Sequence, residues 1–188
     1  MNIIITGATG FVGKNLSKFL KEKGHHISPL SLRKAWELDQ NAEAIIHLAG
    51  KAHDTKNTSA EKEYFEINTE LTKKLFEEFL NTTAQDFIYF SSVKATADTV
   101  EGFLDENHKS NPQTPYGKSK LYAEEYLLSQ KLPENKRLFI IRPCMIHGPG
   151  NKGNLNLLYK FVQKGIPSPL AAFETQRSFF SIDNLNFL

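Results

Sequence analysis

Ile3-Ile4-Ile5-Thr6-Gly7-Ala8-Thr9-Gly10-Phe11-Val12-Gly13 is the stretch on which the fold turns. Three β-branched apolar residues in succession suit a short strand buried on both faces. Three glycines follow at G-x-x-G-x-x-G spacing. A helical pattern then begins, with Val12, Leu16, Phe19 and Leu20 recurring up to Gly24. Strand, glycine turn and helix in that order make a phosphate cradle. Glycines let the backbone turn sharply and approach a pyrophosphate, and the helix start offers unpaired N–H groups at the positive end of its dipole. The stretch predicts a dinucleotide site.

Outward from it, strands and helices alternate. His25–Leu32, Ala44–Gly50, Phe87–Ser92 and Arg137–Arg142 read as four further strands. A long helix is expected from Ala60 to Leu80, where Leu71, Leu75 and Phe79 repeat every four residues, and another from Tyr116 to Gln130. Between the second and third strands, the polar segment Arg33–Glu43 is expected to form a short helix around Trp36 and Leu38. Lys51–Ala60 reads as a polar loop. This alternation predicts an α/β fold with a doubly wound parallel sheet, whose ligands lie beyond the carboxyl ends of the strands. The glycine turn, Ala49-Gly50, Ser91-Ser92 and Pro143-Cys144 all fall on that edge. From Asn151 the character changes. Leu155, Leu158, Phe161 and Val162 suggest a helix closed by Gly165, then a turn at Ile166–Pro169 and a strand at Arg177–Ile182. Asp183 reads as the N-cap of a last helix that the chain leaves within one turn. Residues 1–150 are therefore read as the dinucleotide-binding domain, and 151–188 as the start of a small, truncated substrate-binding region.

An apolar content of 40% and a charged content of 23% are those of a soluble globular chain. A net charge of +2 without a basic stripe gives no reason to expect nucleic acid. The single cysteine, Cys144, precludes an internal disulfide and suits a reducing compartment. The N-terminus lacks the basic region and apolar run of a signal peptide or membrane span, so a cytoplasmic location is expected. No second His or acid lies at metal-ligand spacing from His47, and no metal site is expected.

Tyr116 and Lys120 are four apart on a helix and share a face. A phenol acts as a base near neutral pH only if its pKa falls well below about 10. A neighbouring ammonium and an oxidised nicotinamide both favour the phenolate. The pair opens the helix that follows the strand ending in Ser91-Ser92, so Ser92 can bond a substrate oxygen beside the phenol. A capping or turn serine is the alternative reading. His47, inside a buried strand, is read as a hydrogen-bonded core histidine rather than a catalytic one. Asn68, on spacing alone, is an ordinary surface residue of its helix. At the end of the second strand stand Ser31, Leu32 and Arg33, where such folds often carry an acid on the adenosine ribose. Arg33 either pairs with a 2′-phosphate or is a solvated charge, so NAD and NADP both remain open.

These pieces together resemble an extended short-chain dehydrogenase/reductase of the NAD-dependent epimerase/dehydratase family. The likeness rests on Thr6–Gly13, His47-Leu48-Ala49-Gly50, Ser91-Ser92, Tyr116-Gly117-Lys118-Ser119-Lys120, Arg142-Pro143 with Gly148-Pro149-Gly150, and Arg177-Ser178-Phe179, in family order along nearly the whole chain. It implies a Rossmann-type fold binding NAD, or NADP, through Gly7, Thr9, Gly10, Phe11, Val12, Gly13, Arg33, Leu48, Ala49, Gly50, Tyr116, Lys120 and Pro143. It implies Ser92, Tyr116 and Lys120 as the catalytic set, with Asn68 as the helix asparagine supporting them. Ser92, Asn154 and Arg177 would hold substrate, Arg177 at its diphosphate. Sugar 4,6-dehydratases of similar type carry an Asp-Glu pair after the serine. This chain has Val93-Lys94, which disfavours dehydration. The resemblance therefore points to a 4-epimerase acting on a UDP-hexose or UDP-hexosamine, or on a polyprenyl-diphosphate-linked hexosamine, in surface-polysaccharide synthesis. The alternatives are an NADP-dependent keto-sugar or carbonyl reductase and a non-catalytic dinucleotide sensor. By family analogy the helices at 60–80 and 116–130 would form a homodimer. Departures from the pattern are Ser31 in place of the acid, the short segment before Ala44, and the early end of the chain.

Overall fold

The structure, a computed structural model, describes residues 1–52, 61–151, 154–165 and 176–188. Two compact units emerge, Met1–Pro143 and Cys144–Leu188. In the first, five parallel strands form one sheet: β1 (Asn2–Thr6), β2 (His26–Leu30), β3 (Ala44–His47), β4 (Asp86–Phe90) and β5 (Arg137–Ile141), in the order β2-β1-β3-β4-β5. The chain moves from β1 to β2 on one side and then crosses to β3 on the other. That reversal opens a crevice at the carboxyl ends of β1 and β3, where doubly wound sheets take their ligands.

The cross-strand row Ile4, Ile45, Phe87 and Leu138 runs through the sheet in register. On this face lies the core, where Leu75, Phe76 and Phe79 of α3 (Leu71–Leu80) and Ala123 and Leu127 of α4 (Pro115–Ser129) meet the strands. Phe76 stands edge-on to Phe87 at 5.0 Å between ring centroids, an arrangement that aligns ring edge with ring face. Helix α1 (Phe11–Glu22) packs on β1 and β2. Before α3 the chain runs through α2 (Glu61–Phe65) and a π-helical turn (Glu66–Glu70), so the long helix expected from Ala60 is interrupted at Asn68. Ala60 itself lies outside the described residues, as do most of the expected 51–60 loop and the turn at Ile166–Pro169.

The helix expected at Arg33–Glu43 does not form. Its apolar residues are drawn to separate partners. Leu38 is buried in the core, and Trp36 donates its indole N–H to Glu78 of α3 at 2.7 Å. Asp39 then turns the chain, accepting from Asn41 N at 2.9 Å while its carbonyl accepts from Ala42 N. In the second unit, β6 (Met145–His147) pairs in parallel with β7 (Phe179–Ser181), a strand that the prolines and glycines around it conceal in the sequence. Helices α5 (Asn154–Gln163) and α6 (Ile182–Leu185) accompany them. The cap of α6 is Ser181, whose hydroxyl accepts from Asn184 N at 3.0 Å; Asp183, expected in that role, stands in the first turn. Among the described residues no helix is long and apolar enough to cross a membrane.

Two stability predictions follow from the backbone. Gly7 has φ +68°, and a Cβ built there would come within 2.8 Å of Ala49 N. Gly7→Ala combines left-handed strain with a backbone clash and is expected to lower urea-unfolding stability by about 2 kcal/mol or more. Buried Lys136 donates to the carbonyls of Phe79, Thr82 and Ala84 at 2.7–3.0 Å, closing the carboxyl end of α3. Lys136→Met leaves those oxygens without that donor and is expected to cost about 1–3 kcal/mol in the same measurement.

Candidate active site

The three glycines of the first turn have three different tasks. Gly7 adopts the left-handed conformation and lies against the backbone of Leu48 and Ala49. Gly10 closes the turn through Gly10 N–H to Gly7 O, 2.9 Å, and then occupies the N-cap of α1 without a side-chain cap. At Gly13 a Cβ would approach Gly7 O to 2.3 Å and Ala8 Cα to 2.6 Å, so only glycine lets the helix pack on its own entry turn. The result is an uncapped helix start beneath a bare backbone loop, which suits a diphosphate. Thr9 and Gly10 are exposed, Phe11 and Val12 partly so. Leu48 and Ala49 stand half-buried across the crevice, with Gly50 exposed beside them. Arg33 is exposed just beyond β2.

A buried polar chain leads from this crevice to the tyrosine helix. Leu48 N and Ala49 N both donate to Thr6 Oγ1 at 3.1 Å. Thr6 Oγ1 lies 2.6 Å from His47 Nδ1, and His47 Nε2 lies 2.9 Å from Thr72 Oγ1. Because Thr72 donates its own hydrogen to Asn68 O at 2.7 Å, it accepts from Nε2–H, and Nδ1 is left to accept from Thr6. Every hydrogen in the chain is thereby assigned. His47 is buried and neutral: burial first, and the charge of Lys120 second, hold it down at about 3. It is a structural histidine.

The π turn places Asn68 fully inside, contrary to the surface position its spacing suggested. Its amide accepts from Lys51 N at 2.7 Å and donates to Lys51 O and Ser119 Oγ, both at 3.0 Å. Ser119 in turn donates to Tyr116 O at 2.8 Å. Asn68 therefore ties the loop after β3 to the first turn of α4.

Tyr116 is half-buried near the start of α4, with the Ser92 hydroxyl close enough to its phenol to influence its titration. Burial pushes the phenol above its ordinary value, and the nearby Ser92 hydroxyl acts in the opposite sense. In the protein alone the net direction is upward, and Lys120 is not among its causes. Lys120, one turn on, is buried, donates to Phe90 O at 2.8 Å and lies over the Tyr89 ring at 4.7 Å. Burial lowers its pKa to about 8, with buried Glu124 acting in the opposite sense. Glu124 is itself held by Arg142 Nε at 3.0 and 3.1 Å. A Cβ on Gly50 would lie 3.3 Å from Lys120 Nζ, so the ammonium reaches the crevice edge.

The sequence reading missed several contributors. Tyr64 of α2 sets its ring edge toward Tyr116 at 6.4 Å, and Lys51 bridges to Glu63 at 2.8 Å under the Tyr64 ring. Thr114 caps α4 with Pro115 at the first helical position, a signal that Thr-Pro ahead of an apolar helix does carry. Pro143 ends the first unit, its carbonyl accepting from Val93 N at 3.2 Å. Asn154 and Arg177 belong to the second unit. Asn154 opens α5, and Arg177 is exposed two residues before β7.

Residues 3–168 match the model of the NAD dependent epimerase/dehydratase family. Among curated proteins, a UDP-glucose 4-epimerase of Vibrio cholerae is 33% identical over 211 residues, covering 98% of this chain and 64% of that protein. An N-acetyl-alpha-D-glucosaminyl-diphospho-ditrans,octacis-undecaprenol 4-epimerase of Escherichia coli O157:H7 is 29% identical, over 98% of this chain and 60% of that protein. The chain thus spans somewhat under two thirds of the length of these relatives. Among solved structures, MoeE5 in complex with UDP-glucuronic acid and NAD superposes with a TM-score of 0.82 at 22% identity, over 100% of this chain and 70% of that one, and so shares the fold.

The buried ammonium generates a pH prediction. Its folded value, about 8, lies below the ordinary 10.5, so the folded state binds fewer protons than the unfolded chain between them. The penalty is full below about pH 8 and fades as pH rises to 10.5. Lys120→Met is expected to be more stable than the wild type at pH 7 by about 2 kcal/mol after loss of its hydrogen bond, the gap closing toward pH 10.5 in urea titrations.

Proposed function

From the premise that this chain belongs to the NAD dependent epimerase/dehydratase family, we propose that it carries the cofactor-binding and acid–base machinery of a nucleotide-sugar 4-epimerase. The substrate class is a UDP-hexose or UDP-hexosamine, or a hexosamine on a polyprenyl diphosphate, used in surface-polysaccharide synthesis. The observation that carries the reading is the placement of Tyr116 and Lys120 one turn apart on α4, with the Lys120 ammonium at the crevice edge and the turn that begins at Ser92 packed on the first turn of the same helix. A sensor needs none of the three.

The glycine turn and the uncapped start of α1 would take the diphosphate of NAD or NADP, with Leu48, Ala49 and Gly50 along the opposite wall. That dinucleotide supplies hydride acceptance and return at C4 of the sugar. Tyr116 takes the C4 hydroxyl proton and gives it back after the keto-sugar has turned its other face. Ser92 orients the sugar oxygen and donates to the phenolate. Lys120 adds positive charge beside the ribose and the phenolate. The phenol starts above its ordinary value, so the positive charge of the oxidised cofactor is needed to bring it into working range. In this reading residues 1–150 form the dinucleotide-binding domain and 151–188 part of the substrate region, where Asn154 and Arg177 contact the sugar nucleotide. A cytoplasmic homodimer is part of the same proposal.

The reductase alternative draws support from relatives such as the GDP-6-deoxy-D-mannose reductase of Pseudomonas aeruginosa, 28% identical over 80% of this chain and 54% of that protein. Turnover separates the two. An epimerase interconverts UDP-glucose or UDP-GlcNAc with their C4 epimers at catalytic NAD, whereas a reductase consumes NADPH mole for mole. Mass spectrometry of the purified chain is expected to find a bound nicotinamide dinucleotide. Tyr116→Phe is expected to retain that nucleotide while slowing interconversion by about 10²–10⁴-fold. Undiminished turnover in that variant rules out Tyr116 as the base.

A further inference from the structure

The Tyr116 phenol and the Ser92 hydroxyl come from different elements, so something must hold those elements together. Ser92 ends the strand segment after β4, and its Oγ accepts from Lys94 N at 3.2 Å to start the 3₁₀ turn Val93–Ala95. Tyr116 begins α4. Across the gap, Asp98 aims its carboxylate at the helix start. One oxygen accepts from Gln113 N at 2.7 Å and Thr114 N at 3.1 Å, and the other accepts from the Thr114 hydroxyl at 2.8 Å. Thr114 passes the connection on, its Oγ1 accepting from Gly117 N at 3.2 Å. Asn111 N–H to Thr96 O, 2.8 Å, adds a second tie between the same two segments.

Gly117 completes the contact from the other side. A Cβ there would stand 2.4 Å from Lys94 O and 2.8 Å from Pro112 Cβ, so the turn that carries Ser92 rests directly on the backbone of the first turn of α4. Lys94 also sets its ammonium 3.8 Å from Asp98. The segment from 92 to 98 is therefore pressed onto the helix start at Gly117 and laced to it at Thr114.

We infer that Asp98 is a positioning residue, whose carboxylate fixes the first turn of α4 against the Ser92 turn and so sets where the Tyr116 phenol stands relative to the Ser92 hydroxyl. It does not touch the reacting atoms. It acts through Thr114 and the helix backbone. The inference deepens the reading of Tyr116 as the acid–base group, but its test is made on the phenol itself and needs no turnover.

Tyrosines carrying ¹³C at Cζ are introduced into the chain, and the Tyr116 resonance is identified by its loss in Tyr116→Phe. Ser92→Ala shows where that resonance lies without the serine hydroxyl. Asp98→Ala is expected to move it to the same place, and the double variant Ser92→Ala/Asp98→Ala to move it no further. Asp98→Asn keeps an oxygen for the Gln113 and Thr114 N–H groups and is expected to hold it near the wild-type position. Circular dichroism confirms folding throughout. If Asp98→Ala does not fold, Thr114→Val, which removes the hydroxyl linking Asp98 to Gly117 N, is read with the same expectation. A Tyr116 resonance unmoved in the folded variant, or a shift that adds in full to that of Ser92→Ala, overturns the inference. A shifted resonance alongside undiminished turnover in Tyr116→Phe would keep Asp98 in this role while removing the epimerase mechanism.

Discussion

The contact on which the rest depends is the meeting of two backbones at the sheet's reversal point. Gly7 turns left-handed after β1 and lies against Leu48 and Ala49 at the end of β3. No side chain fits between them. That exclusion keeps the crevice narrow and its walls made of peptide, which is what a diphosphate and a flat ring require. Thr6 secures the arrangement from beneath, gathering the N–H groups of Leu48 and Ala49 on one hydroxyl. The turn and the opposite loop are thereby one rigid piece.

From that piece a continuous line of buried polar groups reaches the tyrosine helix. His47, Thr72, Asn68 and Ser119 each have their hydrogens assigned by the next partner, which is how polar side chains are accommodated inside a core. The π turn is the local departure from regular helix that makes this work, because it points Asn68 inward toward Lys51 and Ser119. Such turns are common at functional positions. The same interior holds two charged groups at a cost. Lys120 is depressed by burial despite Glu124, and Glu124 is compensated by Arg142. Burial of that ammonium costs stability, and it stands at the crevice edge beside Gly50.

Much of this was legible in the chain itself. The β-branched run, the glycine spacing and the alternation of apolar strands with amphipathic helices are local signals, and each corresponds to an element of the structure. The Tyr116–Lys120 face was legible because four residues make one helical turn. Less legible were features that depend on which surfaces meet. Arg33–Glu43 has a residue pattern compatible with a helix, but Trp36 and Leu38 find partners in Glu78 and the core without one. The β6 strand is three residues long and owes its existence to pairing with β7, more than thirty residues away. Asn68 looked superficial because helical periodicity takes no account of a π turn.

The sequence by itself determined the order of elements, the glycine turn and the residue types available at the sheet's carboxyl edge, because these follow from backbone sterics and from periods of two and 3.6 residues. Tertiary structure alone decided the protonation of those groups and their partners. That Tyr116 is raised by burial, that His47 is neutral with a defined tautomer, and that Asp98 ties the helix start to the Ser92 turn are consequences of desolvation and of contacts between residues far apart in the chain, and neither is written in any local pattern.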